Sequence, residues 1–334
     1  MCVAGERGCH IGCRTGCRTM TRRWTVLECV AIVQALLVFL LVAYFFWSRS
    51  TPGLITALRM GDSSLRASAA SMLGARGPAA RSAIPALEEA LRSPDELVQS
   101  RAAAALGEIG GIDVLAENLK SPNEQVRTRV IMALRSLNLQ DPEQRQRRVA
   151  MYIAGLNDSA PKVREWAAGG LGESKEDVSE ALPYLKELLH DQEWGVKRTA
   201  AQTIASIGSL EDVRAMLDSE DVRVRNVALS GLAKFGIDAI PALISALQDP
   251  DQGIVIGAEG ALGHMGKEAH AAVPALANTL NHPDRWARAQ AVYNLELVGG
   301  TDAIPALRGA VNDPDPTVRN WAKQALARLE GQTK

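Results

Sequence analysis

Cysteine is absent from the last 305 of the 334 residues; all five lie at the front, at Cys2, Cys9, Cys13, Cys17 and Cys29. No disulfide can therefore staple the bulk of the chain, whatever its compartment. Aromatic residues make up only 4%. A core of Leu, Ala, Val and Ile suits thin, closely packed helices better than thick sheets. Histidine occurs five times, and no "HE" pair exists, so the zinc-binding "HExxH" pattern is excluded. There is no Walker loop, no "GxSxG" and, after the front segment, no cysteine–histidine pair. "GGLG" at 169–172 lies in a helical pattern and does not follow a strand, so it is not a phosphate loop. No catalytic residue, metal or cofactor is expected.

A strong positive balance is missing too. After position 50 there are 31 basic and 36 acidic residues. That composition argues against nucleic acid, which needs a positive track for its phosphates. Before position 51 the balance reverses, with Arg7, Arg14, Arg18, Arg22, Arg23 and Arg49 against Glu6 and Glu28.

One long apolar run is present. Val30 to Trp47 reads "VAIVQALLVFLLVAYFFW", with Gln34 its one strongly polar residue. Counted from Thr25 it is 23 residues long and includes Glu28. About 20 helical residues cross the hydrocarbon core of a bilayer. Trp24, Tyr44 and Trp47 stand where interfacial anchors stand. The run ends in "YFFWSRSTPG", without the small-residue cleavage pattern of a signal peptide. Residues 24–48 are therefore expected to form one signal-anchor helix, contacting lipid through residues 25–47. The arginines before it put residues 1–23, a Cys/Arg-rich tail, in the cytoplasm. The rest would lie on a periplasmic, lumenal or extracellular side. "CHIGCRTGCRT" spaces Cys9, Cys13 and Cys17 four apart; metal binding and acylation stay open beside a disordered tail. "MTRRW" at Met20 is an alternative start.

From Pro52 the chain repeats itself. A short helix opens with "IPAL" at Ile84, Ile240 and Ile304 or "VPAL" at Val273, and Leu182–Pro183 opens a looser version. Proline is tolerated there because the first turn of a helix has no acceptor for its missing N–H. A polar break follows, such as "QDPD" or "NHPD", whose Asp and Asn cap a second helix. Val318, Ala322 and Leu326, or Val163, Ala167 and Leu171, then recur four apart and form one apolar stripe. Aligned on Leu65, Val98, Val126, Val163, Val196, Val224, Val255, Ala287 and Val318, the repeats are 28 to 37 residues apart. Nine copies at that period read as a helical solenoid.

"DPDPTVRNWAKQAL" at Asp313 to Leu326 and "DSEDVRVRNVALSGL" at Asp218 to Leu232 carry a resemblance. They are similar to the short HEAT-like repeats of the type named after phycobilisome lyases. The resemblance covers about 52–330 and implies an all-α, right-handed alpha-alpha superhelix over 52–334, here preceded by a single transmembrane helix. It also implies a structural ladder in which the basic residue after the aligned one reaches turn acids. Here these are Arg66, Arg127, Arg164, Lys197, Arg225, Arg288 and Arg319, with Gln99 and Ile256 breaking the series. A related branch, deoxyhypusine hydroxylase, holds iron through His–Glu pairs, which this chain lacks.

Candidate partner-binding residues are the aromatics Trp166, Trp194, Trp286 and Trp321, with Arg145, Arg147 and Arg148 in a stretched fourth repeat. A tryptophan filling a gap between repeats is the plainer alternative for each. The reading is a membrane-tethered, non-catalytic scaffold that binds another protein. Chromophore attachment or chaperoning like that of bilin lyases, and a structural envelope role, are the alternatives.

Overall fold

The computed structural model describes residues 34–41, 47, 49–137, 139 and 141–331. The expected tail at 1–23, all five cysteines and half of the apolar run Val30–Trp47 lie outside the described residues. Two bodies are distinguished, one up to Gly53 and one from Leu54 onward. In the first, residues 34–41 are helical. Their apolar side chains from Leu36 to Leu41 are 54–69% exposed.

No strand occurs among the described residues. Helices from Thr51 come in pairs. Repeat 1 holds α1 (Thr51–Met60) and α2 (Ser63–Gly74); repeat 2, α3 (Ile84–Leu91) and α4 (Glu96–Ile109); repeat 3, α5 (Ile112–Asn118) and α6 (Glu124–Ala133). Repeat 4 holds α7 (Pro142–Leu156) and α8 (Pro161–Gly172); repeat 5, α9 (Leu182–Glu187) and α10 (Trp194–Ile207); repeat 6, α11 (Leu210–Ala215) and α12 (Val222–Leu232). Repeat 7 holds α13 (Ile240–Ala246) and α14 (Gln252–Met265); repeat 8, α15 (Val273–Thr279) and α16 (Arg285–Gly299); repeat 9, α17 (Ile304–Ala310) and α18 (Pro316–Gly331).

Local chemistry fixes these bounds. The Asp95 carboxylate accepts from the N–H groups of Leu97 and Val98 and so starts α4. Asp62, Asn123, Asp221, Asp251 and Asp284 start α2, α6, α12, α14 and α16 in the same way. Each cap satisfies N–H groups that have no partner inside the helix. Proline occupies the first turn of α3, α9, α13, α15 and α17.

The second helices pack on one another in chain order, from α2 against α4 to α16 against α18. From repeat 2 onward each also packs against the first helix of its own repeat. Alanines make this close stacking feasible: Ala70, Ala102, Ala167, Ala200, Ala228, Ala258, Ala291 and Ala322 are all buried. One continuous apolar core results, in which each repeat covers the apolar side of its neighbour.

The structure corrects the alignment of repeat 7. Its cap is Asp251, so the residue matching Ala287 and Val318 is Ile254, not Val255. The ladder position is therefore Val255, not Ile256. Two consecutive aliphatic residues made the register ambiguous by one; the cap resolves it.

The stretch Val222–Ala246 is long and apolar enough by composition to cross a membrane. It is not one helix. Gly236, at φ 54° and ψ −131°, breaks it into α12 and α13 with a conformation that side chains rarely adopt. Val224, Ala228, Leu232 and Leu243 from this stretch belong to the repeat core.

Candidate functional site

The ladder is built at the joints between repeats. Arg164 donates from Nε to Asp191 Oδ2 at 2.7 Å and from Nη2 to Oδ1 at 3.0 Å. Its Nη1 donates to the carbonyl of Asp158, six residues back, at 2.8 Å. Asp191 Oδ1 also accepts from the Glu193 N–H at 2.9 Å. The same arrangement joins Arg127 to Asp158, Arg225 to Asp249 and Arg288 to Asp313. Two parallel bonds suit a planar guanidinium facing a carboxylate. These side chains are largely buried, between 6% and 17% exposed. Burial alone would disfavour the charged carboxylates of Asp158, Asp191 and Asp313. The guanidinium across each joint and the backbone N–H two residues on together outweigh it and hold their pKa values below the usual range.

Elsewhere the arginine and its acceptor are replaced. Gln99 keeps the six-back bond, donating to the Ser93 carbonyl at 2.7 Å, and faces a repeat with Ser121 at the acceptor position. Lys197 faces Ser219 and reaches Asp221 only at 3.9 Å. Val255 faces His282. Arg66 donates to the Leu58 carbonyl. Arg319, in the last described repeat, bonds the carbonyls of Asp313 and Pro314. Arg127, Arg164, Arg225 and Arg288 thus lie in the joints and hold neighbouring repeats together.

The opposite sides of the second helices face solvent. Counted from each cap, the second, sixth, ninth and thirteenth residues lie there. Trp166 occupies the sixth position of α8 and is half-buried. It borders a cleft of about 640 Å³ with Arg129, Met132 and Lys162, and Arg135 sits 5.8 Å from its ring centre. Trp321, at the same position of α18, borders a smaller cleft of about 240 Å³ with Tyr293, Glu296 and Arg328. Trp194 is half-buried beneath the Arg223 guanidinium, 4.0 Å from its ring centre. Trp286 is 54% exposed, with Arg285 at 5.2 Å.

The structure does not bring the fourth-repeat arginines to this face as a group. Arg148 pairs with Glu176 at 2.8 Å and ties α7 to the 173–181 segment. Arg147 reaches back to Asp113 of repeat 3 at 2.5 Å. Arg145 makes no ion pair among the described residues.

Tyr293 and Leu297 escaped the sequence reading. They stand seven and eleven residues after Trp286 and share its exposed stripe of α16. The helical period could have shown them. Glu259 escaped it as well. It is 0% exposed in α14, one turn beyond Val255, and neither carboxyl oxygen has a partner. Burial pushes its pKa up to about 8, with Thr279 the polar group that counteracts this. Asn294 of the next repeat is also buried, and its Nδ2 has no partner. Among the described residues no three His, Cys, Asp or Glu side chains converge as metal ligands.

Known proteins resemble this chain in sequence or in fold. "Uncharacterized phycocyanin operon protein Z" of Pseudanabaena tenuis is 28% identical over 198 residues, covering 54% of this chain and 95% of that protein. "Phycocyanobilin lyase subunit alpha" of a Picosynechococcus species is 35% identical over 116 residues, which span 31% of this chain and 42% of that relative. Among solved structures, Kap121p bound to Ste12p superposes with a TM-score of 0.60 at 14% identity, covering 84% of this chain and 37% of that one. Importin beta gives 0.54 at 17%, covering 90% and 49%. The chain thus spans half or less of these two solved proteins, and the likeness is one of fold. The family model for HEAT repeats matches residues 51–146, 149–219, 210–278 and 273–334, and with the paired helices stacked in chain order this places the chain in the HEAT-repeat family.

Proposed function

We propose that this chain is a membrane-tethered, non-catalytic scaffold that binds another protein through the solvent-facing side of its second helices. The observation that carries the reading is the concentration of large side chains on that side. Trp286, Tyr293 and Trp321 are 54%, 48% and 36% exposed in a chain that is only 4% aromatic. Tryptophan and tyrosine favour protein interfaces because they offer a large apolar surface at small entropic cost. The basic row is engaged in joint pairs or in bonds to backbone carbonyls, so recognition falls to this face.

The tether rests on the front segment. A helix with every side chain from Leu36 to Leu41 more than half exposed needs an apolar surrounding. With residues 24–48 in the bilayer, the arginines before Trp24 favour a cytoplasmic tail at 1–23. The repeats at 52–334 would then stand on the periplasmic, lumenal or extracellular side. Alkaline extraction and protease protection of the full chain in its native membrane test this. Release by alkali, or repeats digested only from the cytoplasmic side, would contradict it.

Photo-crosslinkers placed at Thr128, Gln290 and Gln324 test the binding role. A specific protein captured at one or more sites supports the scaffold; none captured at any of them removes the reading.

A second reading, bilin handling, is favoured by the 35% identity to a protein named as a lyase subunit. It expects added phycocyanobilin to change its absorption spectrum on mixing with this chain. An unchanged spectrum at micromolar protein would remove it.

A further inference from the structure

We propose that the open end of repeat 1 rests on the surface of an anionic bilayer, with Met60, Leu65 and Met72 seated among the headgroups. The inference rests on the tether reading and adds a second contact with the same membrane, made by the repeats themselves.

One side of each second helix is shaped to meet the repeat before it. The tenth residue after the cap lies against the twelfth of the preceding second helix: Ala105 against Gly74, Ala133 against Gly107, Gly231 against Ala205 and Asn294 against Gly263. Across the same seam the Thr203 hydroxyl donates to the Ala168 carbonyl at 2.9 Å. The third residue stands two turns earlier on that side. It is at most 2% exposed in repeats 2 to 9. Repeat 1 has no preceding repeat among the described residues. Its tenth residue is Met72, 41% exposed, and its third is Leu65, 51% exposed. The Leu65 side chain lies over Gly61, and the neighbouring Met60 is 83% exposed.

The terminal repeat of a solenoid stays soluble by showing water a polar outer side. The far side of α18 does so with Arg319 and Lys323. Repeat 1 shows Leu65 and Met72 instead, so a partner for this end is expected. Chain length says what lies nearby. Only Ser48, Arg49 and Ser50 separate the end of the apolar run at Trp47 from Thr51, where α1 starts. That link reaches at most about 14 Å. With residues 24–48 in a bilayer, the start of repeat 1 cannot leave the neighbourhood of the headgroups.

Charge agrees. Residues 49–83 carry five arginines and one carboxylate, Asp62, a net of +4. Residues 84–334 carry 27 basic and 35 acidic residues, a net of −8. Nearby carboxylates do not cancel the first figure. Glu89 pairs with Arg59, and Asp95 lies in the field of Arg66. Glu108, beside Gly74, shares a cleft with Arg101. Setting each against its neighbour leaves Arg49, Arg76 and Arg81 against Asp62. Attraction to anionic headgroups follows this net charge, whatever hydrogen bonds the arginines also make. The same charge disfavours a second copy as the cover. Two such ends would repel, and the far side of α18 would bring Arg319 and Lys323 against them.

The test uses the full chain reconstituted into vesicles of phosphatidylcholine, alone or mixed with phosphatidylglycerol. A diazirine-bearing amino acid is placed at Leu65, at Met72 or, as a distant control, at Gln324, and lipid adducts are read by mass spectrometry. Positions 65 and 72 should give at least about fivefold more adduct than position 324, and at least about twofold more with phosphatidylglycerol than without. Arg76→Glu combined with Arg81→Glu should abolish the gain from phosphatidylglycerol, with circular dichroism and vesicle attachment retained. Adduct at 65 and 72 no higher than at 324, in a chain that resists alkaline extraction, removes this contact and leaves the tether standing. Adduct indifferent to phosphatidylglycerol overturns the anionic surface. Crosslinks between copies at position 72 in place of lipid overturn the proposal in favour of a dimer. A chain released by alkali removes the tether and this contact with it.

Discussion

Arg164 of repeat 4 grips Asp191 of repeat 5 with two parallel hydrogen bonds, 2.7 and 3.0 Å long, at a joint that leaves the carboxylate 6% exposed. The same pair recurs at the joints 3–4, 6–7 and 8–9. Where the acceptor becomes Ser121, Ser219 or His282, the arginine becomes Gln99, Lys197 or Val255. At these three joints donor and acceptor change together, as expected when a buried charge without its partner is costly; the joint 1–2 keeps Arg66 opposite Ser93, and its guanidinium bonds the Leu58 carbonyl instead.

Removing one member of a pair should therefore be expensive. Arg164→Ala is expected to cost about 3 kcal/mol, because Asp191 stays buried without its guanidinium. Arg164→Met with Asp191→Leu should recover most of that loss. Urea denaturation of the two variants measures both; a single-variant loss under about 0.5 kcal/mol would put the pair in the class of surface bridges.

The joint between repeats 7 and 8 offers the converse experiment. His282 Nδ1 accepts from the Asp284 N–H at 3.1 Å, the bond that Asp313 Oδ1 makes with Asp315 at 2.8 Å. An aspartate therefore fits at 282. Val255→Arg alone should destabilise, and adding His282→Asp should restore stability, with a coupling of about 1–2 kcal/mol in a double-mutant cycle. Strict additivity would show that the two positions do not face each other.

Glu259 makes stability depend on pH in the alkaline direction. Its pKa is about 8 when folded against 4.5 ordinarily, so the folded chain holds a proton that the unfolded chain releases. The contribution is complete below pH 4.5 and is lost as pH rises to about 8, at about 1.4 kcal/mol per pH unit. Glu259→Gln should flatten that slope. Below about pH 4 the sign reverses, because Asp158, Asp191 and Asp313 hold lowered pKa values and their contribution is lost as they protonate. Denaturation midpoints at pH 5, 6.5 and 8 compare the two proteins; parallel lines would mean that Glu259 stays ionised.

Two glycines separate packing from propensity. A Cβ on Gly170 would come within 2.3 Å of the Tyr152 ring, and that ring is 2% exposed. Gly170→Ala should cost at least about 2 kcal/mol. Gly309 of α17 has nothing within 4 Å. Gly309→Ala should stabilise by up to about 1 kcal/mol through helix propensity. Thermal midpoints moving the same way in both would contradict the packing described.

Much of this architecture is legible in the residues. "IPAL", the capping aspartates and the four-residue apolar stripe each have a local physical cause, so they mark helices without any tertiary knowledge. The ladder is legible on the donor side alone. Its acceptors lie 31, 27, 24 and 25 residues onward, because the intervening break and short helix vary in length. No fixed spacing identifies Asp158 or Asp249. Glu259 is illegible for a different reason: a carboxylate on an amphipathic helix normally marks the wet side, and only the packing of Thr279 and Asn294 reveals that this one is buried. The tryptophans could be located but not sorted, since exposure separates Trp286 from Trp194 and both sit near a cap.

The central claim is an array whose repeats couple to their neighbours alone. Hydrogen exchange of the full chain, compared with its Arg164→Ala variant, measures that coupling directly. Protection should fall in α8 and α10 and fade over the adjoining repeats, with α16 and α18 unchanged. An equal loss of protection across all second helices would mean a single cooperative body and would contradict the account.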